Sequence, residues 1–88
     1  MPRPSNPEAP CFVYVLLDLS RAVTYVGWTV NLEQRLARHN AGSGARSTRG
    51  GQWRLVYAER HATRGEALRR EYALKRDRKF RALLRTLQ

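Results

Sequence analysis

The stretch Thr24–Asn40, TYVGWTVNLEQRLARHN, decides how the rest of the chain is read. Thr24 to Trp28 are mostly β-branched and aromatic, the composition of a half-buried strand. Gly27 ends that strand at a point where a side chain would not fit. Asn31 then supplies an N-cap, with Gln34 three residues on completing a capping box. Gly42 offers a left-handed stop just beyond Asn40. On the helix between them, residues 32, 35, 36 and 39 share one face. Leu32 and Leu36 mark that face as inward, so Arg35 and His39 fall on or beside a stripe that should meet the core. Each has an ordinary explanation on its own. An arginine stem can lie along the stripe with its head in water, and a histidine suits the C-terminal end of a helix dipole.

Upstream, Cys11 to Leu19 (CFVYVLLDL) is a short apolar run rich in aromatic and β-branched residues, which predicts a strand. Ser20 to Ala22 is the turn into the second strand, Val23 to Trp28, and so short a connection makes the pair an antiparallel hairpin. Downstream, Gly44 to Gly51 (GARSTRGG) reads as a flexible polar loop whose Arg46 and Arg49 suit either phosphate contact or a plain surface loop. Trp53 to Arg60 alternates as a third strand. Thr63 and Glu66 form a second capping box before a helix to about Arg76, and a last helix follows from about Asp77 to Leu87. The order β-β-α-β-α-α predicts an α+β domain over residues 11–88, a three-stranded antiparallel sheet flanked by helices. Residues 1–10 are proline-rich and are expected to form a disordered lead-in without a secretory signal.

Polar groups recur where the core should be. Ala67, Leu68, Glu71 and Leu74 form one stripe of the second helix, and an acid there is costly unless paired or metal-bound. An exposed i,i+4 pair with Lys75 is the plain alternative. Tyr14 and Tyr25 fall in the first two strands; if the hairpin sets them roughly opposite, both phenols emerge on one face.

Composition narrows the partners. The chain of 88 residues carries 17 Lys and Arg against 7 Asp and Glu, a formal charge of +10, with only Lys75 and Lys79 as lysines. That excess favours a polyanion, nucleic acid before a membrane surface. Cys11 is the single cysteine, which excludes an intramolecular disulfide and a cysteine-type zinc site. No apolar run approaches the ~20 residues of a membrane span, so a cytoplasmic, soluble protein is expected.

Taken together, Phe12-Val13-Tyr14, Tyr25-Val26-Gly27, the run from Thr29 to Asn40 with Arg35 and His39, and the downstream Glu71 resemble the GIY-YIG nuclease superfamily. The resemblance spans about residues 11 to 80. It is closest in kind to small stand-alone bacterial members and to the nuclease domain of Holliday-junction and flap endonucleases. It implies metal-dependent hydrolysis of DNA phosphodiesters with one divalent cation, Mg²⁺ or Mn²⁺. By that resemblance Glu71 is the metal ligand, Arg35 holds the scissile phosphate, and Tyr14 is the general base or positions the water. Tyr25 and His39 would hydrogen-bond water or phosphate and tune Tyr14. Gly27, Thr29, Arg38, Asn40, Arg46, Arg49 and Lys75 are expected around the substrate.

The chemistry of these residue types agrees. A guanidinium fork suits phosphoryl oxygens, and a lone carboxylate suits Mg²⁺, which keeps several waters. A phenol of ordinary pKa about 10 is a poor base at neutral pH; Arg35 and a cation would favour its phenolate. Branched, nicked or single-stranded DNA in repair or recombination is the expected substrate, with a protein partner supplying specificity. Two other readings stay open: a non-catalytic nucleic-acid-binding module, and an accessory subunit of a repair complex.

Overall fold

The computed structural model describes residues 9–88. The lead-in expected over residues 1–10 lies almost wholly outside the described residues. The sheet is built from β1 (Cys11–Asp18), β2 (Val23–Thr29) and β3 (Trp53–His61), in the antiparallel order β2-β1-β3. Helices α1 (Leu32–Asn40), α2 (Arg64–Arg76) and α3 (Arg78–Thr86) complete the predicted order.

β1 is central and covered on both faces, which is why it reads as an unbroken apolar run rather than an alternation. On one face Cys11, Val13 and Val15 pack with Val26, Ala67, Leu74 and Leu84 under α2 and α3. On the other, Tyr14, Leu16 and Trp53 pack with Tyr25, Leu32 and Leu36 under α1. Trp53 and Tyr57 have the same parity in β3, yet they serve opposite faces. The reason is a bulge: Val15 pairs with Tyr57 and Leu16 with Leu55, leaving Val56 extra.

Several boundaries are sharper than the sequence implies. β2 runs on through Gly27 to Thr29, so the glycine lies within the strand and does not end it. Leu19 falls in the turn and is exposed, as is Leu68, which leaves the α2 stripe to Ala67, Glu71 and Leu74. Both capping boxes are incomplete. Asn31 accepts from the Gln34 N–H, but its own N–H goes to Thr29 Oγ1. Thr63 accepts from the Glu66 N–H, while Glu66 accepts from Ala62. Gly42 does take the left-handed stop, at φ +83°.

Asp77 closes α2 and caps α3, accepting from the Phe80 N–H at 3.0 Å. Arg81 binds the two helices together: its guanidinium donates to the carbonyls of Leu74 and Lys75 and to Thr24 Oγ1 in β2. Across the sheet, Arg70 of α2 donates Nε at 2.9 Å to both oxygens of Glu59 in β3, which also accepts from Tyr57 and His61.

At the hairpin turn the buried Asp18 carboxylate accepts from the Ser20 N–H and hydroxyl and from Arg21 Nε, and Arg21 stacks over Trp53. The Ser20 hydroxyl does most to hold its pKa down at about 2; burial opposes, and Arg21 and the Ser20 N–H add to the lowering. Because the folded value is depressed, its contribution to stability is full above about pH 4 and is lost as pH falls toward 2. Acid unfolding followed by circular dichroism should therefore steepen in that window, and Asp18→Asn should flatten it. An unchanged acid limb in Asp18→Asn would remove Asp18 as its cause.

Candidate active site

The α1-facing side of the sheet gathers the chemically active side chains. Tyr14 pairs with Gly27, and Tyr25 with Leu16. The two phenols are therefore diagonal neighbours on one face, not opposite each other, with ring centroids 6.3 Å apart. Gly27 is required by that geometry. A Cβ built there would lie 2.6 Å from the Tyr14 hydroxyl oxygen and 2.9 Å from its Cζ. The space beside Gly27 thus belongs to the Tyr14 ring. Gly27→Ala should push the phenol off its partner and destabilise the fold by roughly 1–3 kcal/mol, as overpacking does. Urea denaturation would detect this, and a wild-type midpoint would refute the packing argument.

His39 comes from the last turn of α1 and is completely buried. Its Nε2 meets the Tyr14 hydroxyl at 3.0 Å and its Nδ1 meets Thr48 Oγ1 at 2.8 Å. The Tyr25 ring covers it at 4.9 Å. Burial, and after it the Arg35 charge, lowers the His39 pKa below its ordinary value, so the ring is neutral at pH 7. An unfolded histidine binds the proton more readily than this one, so His39 subtracts stability as pH falls below about 6.5.

Tyr14 is buried too, at 1% exposure. Burial comes first in raising its phenol above the ordinary value, followed by Tyr25; Glu71 raises it further and Arg35 pulls it down. In the protein alone, desolvation of the charged form outweighs the pull of Arg35 toward the phenolate. Glu71, on α2, and Arg35, on α1, both contribute to that balance at Tyr14.

The Glu71 side chain is 17% exposed and pairs with Lys75 Nζ at 3.3 Å. Among the described residues, no group of three or more His, Cys, Asp or Glu side chains is arranged to hold a metal ion. Arg35 and Arg38 line a surface hollow with Ser43, Gly44 and Ala45. A larger hollow is lined by Asp18, Ser20, Asn40, Gln52 and Trp53 and by neither phenol, and Asp18 there is already fully engaged.

Other expected substrate residues are held elsewhere. Thr29 is buried, and its hydroxyl joins the Asn31 N–H and carbonyl at the start of α1. The Asn40 amide is committed to the Trp53 backbone, donating to its carbonyl at 2.9 Å and accepting its N–H at 2.6 Å. Neither side chain joins the phenols. Arg38, Arg46, Arg49 and Lys75 are exposed.

The loop before β3 is not the free glycine-rich segment the sequence implies. Arg46–Thr48 forms a 3-10 turn, Thr48 is completely buried, and its carbonyl accepts from Trp53 Nε1. Gly44 packs on His39 so closely that a Cβ would fall 2.5 Å from Nδ1. Sequence reasoning missed Thr48. A lone threonine in GARSTRGG carries no periodic signal, and only the spatial return of the loop to α1 reveals it.

Comparison with known proteins fits this arrangement. Residues 10–83 match the family model of the GIY-YIG catalytic domain. The chain belongs to the GIY-YIG family. Relatives of this GIY-YIG domain include a UPF0213 protein of Clostridium perfringens, 46% identical over 66 residues, covering 74% of this chain and 70% of that one. A UPF0213 protein of Natronomonas pharaonis is 42% identical over 65 residues, covering 73% and 75%. The solution NMR structure of a UPF0213 protein from Bacillus halodurans is similar at a TM-score of 0.52 and 33% identity, over 90% of this chain and 85% of that one. The family is one of nucleases, and no helix among the described residues is long and apolar enough to cross a membrane.

Proposed function

We propose that this GIY-YIG domain is an endonuclease that hydrolyses DNA phosphodiester bonds with the help of one divalent cation. The observation that carries the reading is the buried contact between the Tyr14 hydroxyl and His39 Nε2, with the charges of Arg35 and Glu71 reaching the same phenol. A buried phenol raised in pKa and placed against a neutral imidazole is a poised proton-transfer pair.

The residues divide the work by chemistry. Tyr14 takes a proton from the attacking water as its own proton passes to His39 Nε2, so no free phenolate need accumulate. Arg35 faces the negative charge that builds on the phosphoryl oxygens, and its cationic fork stabilises that charge in a site of low dielectric. Tyr25 covers His39 and keeps water from the ring. Glu71 would hold the cation. A single carboxylate without a cluster of further ligands fits Mg²⁺ or Mn²⁺, which accept waters and phosphate oxygens, and does not fit a closed zinc site. When bound, the ion supplies Lewis-acid polarisation of the phosphate.

The net charge of +10, and the exposed Arg38, Arg46 and Arg49, suit a phosphate backbone. Branched, nicked and single-stranded DNA are the substrates of choice for the test, in a setting of repair or recombination where a partner protein adds selectivity. Purified protein should nick at least one of these with Mg²⁺ and stop on chelation, and its binding should weaken steeply with salt. Tight, salt-sensitive binding without cutting on linear, nicked, flapped and branched DNA would replace the nuclease reading with that of a binding module.

A further inference from the structure

We infer that Thr48 is a positioning residue that fixes His39 in its Nδ1–H tautomer and thereby leaves Nε2 as the acceptor for the Tyr14 proton. The catalytic consequence rests on the nuclease reading above; the tautomer does not.

Thr48 Oγ1 lies 2.8 Å from the Ala45 carbonyl oxygen, which can only accept. Two oxygens at that distance repel unless a proton lies between them, so the hydroxyl proton of Thr48 is spent on Ala45. Thr48 Oγ1 then has only lone pairs to offer His39 Nδ1, 2.8 Å away, and Nδ1 must be the protonated nitrogen. A neutral imidazole carries one N–H, which makes Nε2 the acceptor and Tyr14 O–H the donor. The chain of donors runs Tyr14 to His39 to Thr48 to the Ala45 carbonyl.

Among the described residues, Thr48 alone meets Nδ1. Gly44 closes that side of the ring, and a Cβ there would collide with it. The groups facing His39 are Arg35 on its own helix, Tyr14 and Tyr25 from the sheet, and Thr48 from the loop. None of these is a carboxylate. The ring is therefore oriented by a neutral hydroxyl, which fixes the tautomer without stabilising the imidazolium, and the histidine can return its proton after each turnover. The buried Thr48 thus gives the GARSTRGG loop a task beyond surface phosphate contact.

Histidine ring ¹⁵N–¹H correlation spectra at pH 7 test this directly, with His61→Gln used to assign the other ring. In the wild-type protein, without DNA or metal, His39 should show a protonated Nδ1 and an unprotonated Nε2. Thr48→Val keeps the shape and removes the acceptor, and it should shift the ring toward the Nε2–H form. Single-turnover cleavage by Thr48→Val should fall about tenfold or more with little change in DNA affinity, while Thr48→Ser retains both tautomer and rate. A wild-type His39 protonated at Nε2 would overturn the proposal, as would a Thr48→Val protein with unchanged tautomer and rate. Should Thr48→Val fail to fold, the wild-type spectrum and Thr48→Ser still decide the tautomer. Wild-type protein that cuts no DNA would overturn the catalytic half alone, because the spectrum reads the tautomer independently.

Discussion

Glu71→Gln should bind DNA as well as the wild-type protein and cut it about 10²–10³ times more slowly, the loss expected when a group that stabilises transition-state charge is removed. The substitution keeps the shape and hydrogen-bonding reach of the side chain and removes only the charge. Folding should be nearly unaffected. The pair lost, Glu71 with Lys75 at 3.3 Å, is an i,i+4 contact whose lysine is half exposed, worth a few tenths of a kcal/mol. DNA affinity measured in chelator should be equal or slightly tighter, because one negative charge near the phosphate is gone. Single-turnover cleavage and binding measured side by side separate these effects. Wild-type cleavage by Glu71→Gln would mean that the cation is held elsewhere, or that Glu71 is only the helical partner of Lys75.

Tyr14→Phe should reduce cleavage by about 10²–10⁴, the range for loss of a general acid–base group. This variant also has a stability cost that Glu71→Gln lacks. Removing the hydroxyl leaves His39 Nε2 buried without its partner, which destabilises by about 1–3 kcal/mol. Thermal unfolding and cleavage should therefore fall together, yet the rate loss should persist at temperatures where Tyr14→Phe is fully folded. Tyr25→Phe is the comparison. Tyr25 is half-buried and contacts His39 through its ring, so loss of its hydroxyl alone should have a smaller effect. Equal effects from the two substitutions would refute the assignment of the proton-transfer role to Tyr14.

Much of this architecture is legible in the chain because local chemistry and tertiary packing agree. The capping residues Asn31 and Thr63, the left-handed Gly42 and the apolar β1 each specify an element from nearby sequence alone. Arg35, His39 and Glu71 are legible for the opposite reason: they violate the pattern of the helices that carry them. What escapes the sequence is long-range commitment. Thr29 and Asn40 look like free polar groups, but their hydrogen bonds are taken by Asn31 and by the Trp53 backbone. Thr48 and Gly51 look like loop, yet both are buried by a turn that returns to α1 and Trp53. The pKa of Tyr14 escapes as well, since a sequence reveals the neighbouring arginine but not how much water the fold removes.

The grip of Arg81 on the end of α2 has a consequence for where this GIY-YIG domain can be shortened. Every residue assigned a part in the chemistry precedes Asp77, so α3 looks dispensable when active-site membership is the only criterion. Yet α3 supplies the guanidinium that ties the α2 carbonyls to Thr24 of β2, and Phe80, which meets Tyr57 edge-to-face with ring centroids 4.9 Å apart. It anchors the end of the helix that carries Glu71. Changes in the last ten or so residues should therefore retune how deeply Glu71 reaches toward the phenols, and distance along the chain is a poor guide to influence on the site.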